Sequence, residues 1–287
     1  EPTLLYLLAY AEYMTGGDLA AARRLERMSE DLRLKRSERL YRRILNLRAV
    51  VAIELGNLDA AHELLTELEL LAQSATDMRY LAYASLNRSV ALDVAGLPTQ
   101  ALSSLSRAQA AFQRIGDLDS IAACTHNSAM ALRHLGRYDQ AEVLFTRAAD
   151  YYAGKGSTER RLAAEIERAL CMALSGDLAR AFPAAVRAYD EAAEMDNGRL
   201  RTEAARVLGT IHRHTGHVQT ASELLTEALE FAETNDLKLV QAEVLLELAQ
   251  LSGARHPYGA REELLGKAAA IFRAMGAEAR ARKVEML

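Results

Sequence analysis

Tryptophan is absent from this chain of 287 residues, proline occurs four times and cysteine twice. With so few prolines, little interrupts helix interiors. Two cysteines cannot build the dense disulfide framework of a small secreted domain. No apolar run approaches the roughly 18 residues of a membrane-spanning helix. The stretch Leu4 to Tyr10 is too short for one and lacks the basic start and cleavage site of a signal peptide. A basic excess is missing as well: the formal net charge is −4, which argues against direct nucleic-acid binding by this fragment. What remains is 50% hydrophobic and 26% charged and rich in alanine, leucine, arginine and glutamate, all good helix formers. The expectation is a soluble, cytoplasmic, helical chain with no membrane contact.

Glycine is sparse too, but its placement is regular. Gly17, Gly56, Gly96, Gly136, Gly176 and Gly216 recur 39 or 40 residues apart, a period that marks stacked helical units. Five residues after each stands alanine: Ala22, Ala61, Ala101, Ala141, Ala181 and Ala221. Seven before, the residues are small except in the first unit: Tyr10, Ala49, Ser89, Ala129, Ala169 and Gly209. Twelve after come Ser29, Leu68, Ala108, Ala148, Ala188 and Ala228. Small residues at fixed phase mark close helix crossings, where an added methylene would force backbones apart. Larger apolar residues such as Leu25, Leu65, Leu105, Phe145 and Leu225 fill the space between. Continuing the count predicts a degraded seventh unit centred near His256, with small Ala249 and Ala268, and Arg261 in place of the alanine.

This pattern resembles the tetratricopeptide repeat over nearly the whole chain. The fourth unit carries it best, with Asn127-Ser128-Ala129, Leu132, Leu135-Gly136-Arg137-Tyr138, Ala141, Phe145 and Ala148. The usual unit has 34 residues, so units of about 40 imply helices longer by roughly three residues each. Lengthened repeats of this kind are similar to those of bacterial transcription regulators: maltose-type activators, large ATP-binding LuxR-type regulators and actinomycete antibiotic regulators. Animal scaffold proteins have them too. The resemblance implies an all-α, right-handed superhelical solenoid of about seven helix-turn-helix repeats and a C-terminal capping helix.

A single domain over residues 1–287 is expected, since no linker or shift of composition divides the chain. Its repeats fall near 3–35, 36–75, 76–115, 116–155, 156–195, 196–235 and 236–275, with the cap at 276–287. Short polar residues after the glycines, such as Asn57 and Asp177, are placed to cap second helices. Breaks at Gly154-Lys155-Gly156-Ser157, Asp196-Asn197-Gly198 and Thr234-Asn235-Asp236 separate units. Cys124 and Cys171 fall in first helices of neighbouring units and read as small core residues rather than a disulfide. The start Glu1-Pro2 points to a piece of a longer protein or a processed end.

Chemistry is hard to find. The run Gly154 to Thr158 has a phosphate-loop look, but Ala149 stands where the upstream glycine belongs and no strand precedes it. His212, His214 and His217 are closely spaced, yet residues two apart on a helix face different ways, and a zinc site needs converging ligands. No serine or cysteine has a recognisable activating partner. The chain is read as no enzyme, with no cofactor and no metal. Ten basic residues from Arg23 to Arg48, followed by six acidic ones from Glu54 to Asp77, read as neighbouring helices exchanging salt bridges or as a basic patch for an acidic partner or nucleic acid.

The concave face is the strongest candidate site. In the resembled family the first helices line the groove, and ligand contacts fall at set phases before the glycine. Thirteen, nine and six residues before it share a helix face. These phases and the one ten before supply Arg43, Tyr83, Asn87, His126, Asn127, Met130 and Arg206, with Arg133 and His134 near the edge. Asn87 and Asn127 match the family's groove asparagine, whose amide both donates to and accepts from an extended peptide backbone. The alternative is that these asparagines bridge or cap helices. The lysines of the chaperone-binding carboxylate clamp are absent. A ladder of Arg48, Arg88 and Arg168, eight before the glycine where leucine is usual, is expected to pair with acids between repeats. The reading is a binding module, the sensor or interaction domain of a larger bacterial regulator. It would hold a protein, a peptide or a small-molecule inducer, and it is open to homo-oligomerisation. A free-standing scaffold or assembly protein is the alternative.

Overall fold

The computed structural model describes residues 2–14, 18–35, 38–195, 197–251 and 260–287. Among them are fifteen α-helices and no strand: α1 (Pro2–Met14), α2 (Asp18–Lys35), α3 (Glu38–Glu54), α4 (Leu58–Ser74), α5 (Met78–Val94), α6 (Pro98–Ile115), α7 (Leu118–His134), α8 (Tyr138–Gly154), α9 (Thr158–Leu174), α10 (Leu178–Glu194), α11 (Gly198–His214), α12 (Val218–Thr234), α13 (Lys238–Ala249), α14 (Arg261–Ala274) and α15 (Glu278–Glu285). These are seven helical hairpins and a last short helix, so the all-α repeat architecture read from the glycine period holds. Gly17 and the expected seventh centre at His256 lie outside the described residues. No described helix is long and apolar enough to cross a membrane.

The repeated glycine is explained by its backbone. Gly56, Gly96, Gly136, Gly176 and Gly216 all sit at φ between 72° and 95°, a left-handed conformation that closes the first helix of each hairpin. At Gly136 its own N–H donates to the Arg133 carbonyl at 2.9 Å, and the Arg137 N–H reaches back to the Leu132 carbonyl at 2.9 Å. The same two bonds recur at Gly56, Gly96, Gly176 and Gly216. Turns between hairpins use this motif as well, at Gly116 and Gly156, and with non-glycine Thr76 and Asp236 in the left-handed position. Asn57 and Asp177 cap α4 and α10 as expected, each accepting from a backbone N–H at 3.1 Å. Asp77 and Asn197 do the same for α5 and α11.

The chain forms two compact units, Glu1–Ile121 with Ala274–Ala277, and Ala122–Arg273 with Glu278–Leu287. In each unit the small residues lie where helices cross. In the first, Ala49, Ala61, Ala101 and Ala108 are wholly buried. In the second, Ala129, Ala141, Ala169, Ala181 and Ala221 are wholly buried. A Cβ on Gly209 would meet Leu225 Cγ at 2.9 Å, so α11 and α12 approach too closely there for even a methyl group. Leu25, Leu65, Leu105 and Phe112 fill the first unit, and Phe145, Leu162, Ile211 and Phe272 the second. Cys124 and Cys171 are buried, and no disulfide joins them. Burial pushes the Cys171 thiol up to about 12, which leaves it inert. In the degraded last repeat Arg261 donates to the Ala249 carbonyl at 3.0 Å, so its guanidinium ties α13 to α14.

Candidate functional site

In the first unit, the expected site residues lie on α3 and α5. Arg43 sits with its guanidinium 4.5 Å from the centroid of the Tyr6 ring. Tyr83 packs against Phe112 at 5.2 Å and Tyr80 at 5.9 Å between ring centroids, and its hydroxyl lies 3.4 Å from Asp117 Oδ2. Burial pushes the Tyr80 phenol up to about 12 and raises that of Tyr6 against the opposing charge of Arg43. Both rings therefore stay protonated donors at neutral pH. Asn87 Nδ2 donates to Asn46 Oδ1 at 2.9 Å. This is an amide bridge between the first helices of consecutive repeats, and it leaves Oδ1 of Asn87 without a side-chain hydrogen bond among the described residues. The bridge was one of two roles open to Asn87 from the sequence.

In the second unit the expected residues divide into an open set and a locked set. Asn127, half-buried on α7, makes no side-chain hydrogen bond among the described residues. Met130 lies half-buried three residues on. His126 stacks edge-on against Phe145 at 5.3 Å, and its Nδ1 is buried without a hydrogen-bond partner. Burial depresses its pKa, Glu167 opposes the shift and Arg133 adds to it, so the ring is neutral.

Arg133 and Arg206, by contrast, are consumed by a chain of ion pairs. Arg133 Nε lies 2.8 Å from Glu167 Oε2, without the alignment of a hydrogen bond. The other Glu167 oxygen receives Arg206 Nη2 at 3.2 Å. Arg206 also reaches Glu203 at 3.1 Å and Glu243 at 3.6 Å, and Glu243 pairs with Arg280 at 3.0 Å. Burial alone would raise the Glu243 pKa, but the guanidiniums of Arg206, Arg280 and Arg133 outweigh it and hold the carboxyl well below its usual range. Burial works against the charge on Arg206 too, and four carboxylates around it keep it protonated. Glu203 is shifted upward, because burial there exceeds what Arg206 returns. Such a network fixes side chains and backbone rather than greeting a ligand. It leaves the unengaged Asn127 amide on a stiff support.

Sequence reasoning missed Glu243, Glu247 and Arg280 as partners. Glu243 and Glu247 stand thirteen and nine residues before His256, the phases of Glu203 and Glu167 in earlier repeats. That signal was present in the degraded seventh unit. Arg280 lies in the last helix, outside any repeat phase. The arginine ladder behaves unevenly. Arg88 pairs with Glu69 at 2.7 Å as expected, whereas Arg48 and Arg168 make no ion pair among the described residues, and Arg168 Nε is buried without a hydrogen-bond partner.

No family model and no curated protein matches this chain. Solved structures do match its fold. A Rap protein complexed with competence and sporulation factor superposes with a TM-score of 0.77 at 17% identity, over 98% of this chain and 75% of that one. NprR in complex with its cognate peptide NprX gives 0.66 at 16% identity, over 97% of this chain and 82% of that one. A signal-transduction ATPase with a tetratricopeptide-repeat sensor from Pyrococcus horikoshii gives 0.56 at 18% identity, and this chain spans 43% of its length. The fold is that of a tetratricopeptide-repeat solenoid, similar to the sensor domains of regulators.

Proposed function

We propose that this chain is a non-catalytic binding module that holds an extended peptide on the first helices of its repeats. In this reading each unit has its own contacts: in the second Asn127 engages the peptide backbone and Met130 a side chain, and in the first Asn87 and Asn46 do so with Tyr83. The observation that carries it is the Asn127 amide: a half-buried donor and acceptor without a side-chain hydrogen bond among the described residues, in a unit whose buried arginines are held in ion pairs. An amide so placed gains most from a ligand with alternating N–H and C=O groups. Two of the solved structures similar in fold hold a signalling factor or a cognate peptide, which supports the same reading. The larger setting we propose is the sensor or interaction domain of a bacterial transcriptional regulator, in the cytoplasm.

The test is selection of peptides from a random displayed library on the immobilised chain, with the Asn87→Ala/Asn127→Ala double variant run in parallel. A sequence consensus enriched on the wild type and lost on the variant is expected. Enrichment of the same peptides on both, or of none on the wild type, would remove the proposal.

A further inference from the structure

The first unit contains a cleft of about 540 Å³ between α4, α5 and α6, apart from the first-helix residues discussed above. Two polar residues of the third repeat shape it, and the first is shared with the second and fifth repeats, which carry Arg48 and Arg168 at the same phase. Eight residues before its glycine, where leucine is the usual residue, stands Arg88. Eight after, where four other repeats carry Leu25, Leu64, Leu144 and Leu224, stands the buried Ser104. Serine is shorter than the leucine of those repeats, three of which are half-buried, and leaves room between the helices. The result is a floor of Leu58, Leu65 and Leu92 beneath a polar fringe.

The fringe has an uneven charge. Arg107 donates to Ser104 Oγ at 3.1 Å and lies 3.4 Å from Ser103 Oγ, and it has no carboxylate partner among the described residues. Arg88 is braced by Glu69 at 2.7 Å and keeps its Nη1 at 3.3 Å from His62 Nδ1. Among the described residues that line the cleft, the one acid is Asp59. A guanidinium held only by hydroxyls gains strongly from a charged acceptor. Asp59 would repel a second negative charge. A volume of this size suits a small organic molecule, and the leucine floor suits an aliphatic one.

We infer that this cleft binds a small aliphatic carboxylate, its head on Arg107 beside Ser103 and its chain over Leu58, Leu65 and Leu92. The first-helix asparagines play no part in it.

Hexanoate, its neutral isostere hexanamide, and hexyl phosphate are the probes, followed by NMR titration of the isotopically labelled chain. Hexanoate should give saturable shifts in α4 to α6, with hexyl phosphate weaker and hexanamide without effect. Arg107→Ala, at an exposed position, should weaken hexanoate at least tenfold. Ser104→Leu, which restores the residue of the other repeats, should abolish the shifts, and circular dichroism checks that both variants fold. Asn127→Ala should leave the titration unchanged. No saturable shift with hexanoate, equal binding of hexanamide, or unchanged hexanoate affinity in folded Arg107→Ala would each overturn the inference.

Discussion

Single side chains decide two questions here, and the first is Arg206. Its relative exposure is 3%, and three carboxylates depend on it. Removing one partner of a buried ionic cluster leaves the others charged and desolvated, at about 3–5 kcal/mol. Arg206→Met should therefore lower stability by that order in urea unfolding. Arg206→Met combined with Glu203→Met should cost less than the single change, because Glu203 pairs, among the described residues, with Arg206 alone and the second substitution removes a stranded charge without creating another. Equal or larger loss in the double variant would mean the cluster is not coupled as the distances imply. The second side chain is Thr76, a β-branched residue held at φ 53° in a turn where Gly116 and Gly156 occupy the equivalent place. Left-handed backbone costs an L-residue about 1–2 kcal/mol. Thr76→Gly should accordingly stabilise the first unit by about 1 kcal/mol, less what the freer unfolded chain returns, and a raised unfolding midpoint checks it.

At the scale of helices, the hairpin design was legible because backbone geometry and sequence period have one cause. A glycine in the left-handed position every 40 residues fixes where first helices end, and wholly buried alanines fix how closely partners pack. Ala141→Leu should thus cost about 1–3 kcal/mol by overpacking the α7–α8 crossing, read as a lower melting temperature. No change would mean that the small residues are not steric requirements. The turns between hairpins were less legible, since Thr76 and Asp236 fill a glycine role that their side chains do not advertise. Among the site residues, phase arithmetic placed Asn87 and Asn127 on first helices. It could not distinguish the bridged Asn87 from the unengaged Asn127, because that depends on Asn46 lying within hydrogen-bond reach of one and no such partner for the other among the described residues. Nor could it foresee that Arg133 and Arg206 are locked by acids brought from two further helices, α9 and α13.

On the scale of the molecule, the first helices carry two kinds of surface. Those of the first unit present tyrosines, a bridged asparagine pair and Arg43. Those of the second present Asn127 and Met130 beside a self-neutralised ionic network. The proposed function requires Asn127 to be a ligand contact rather than a structural residue. Calorimetric titration of a library-selected peptide into the wild type and into Asn127→Ala, with melting curves of both, tests this. Unchanged melting and an affinity weaker by roughly tenfold are expected, the order for lost backbone hydrogen bonds. Unchanged affinity with unchanged melting would contradict it.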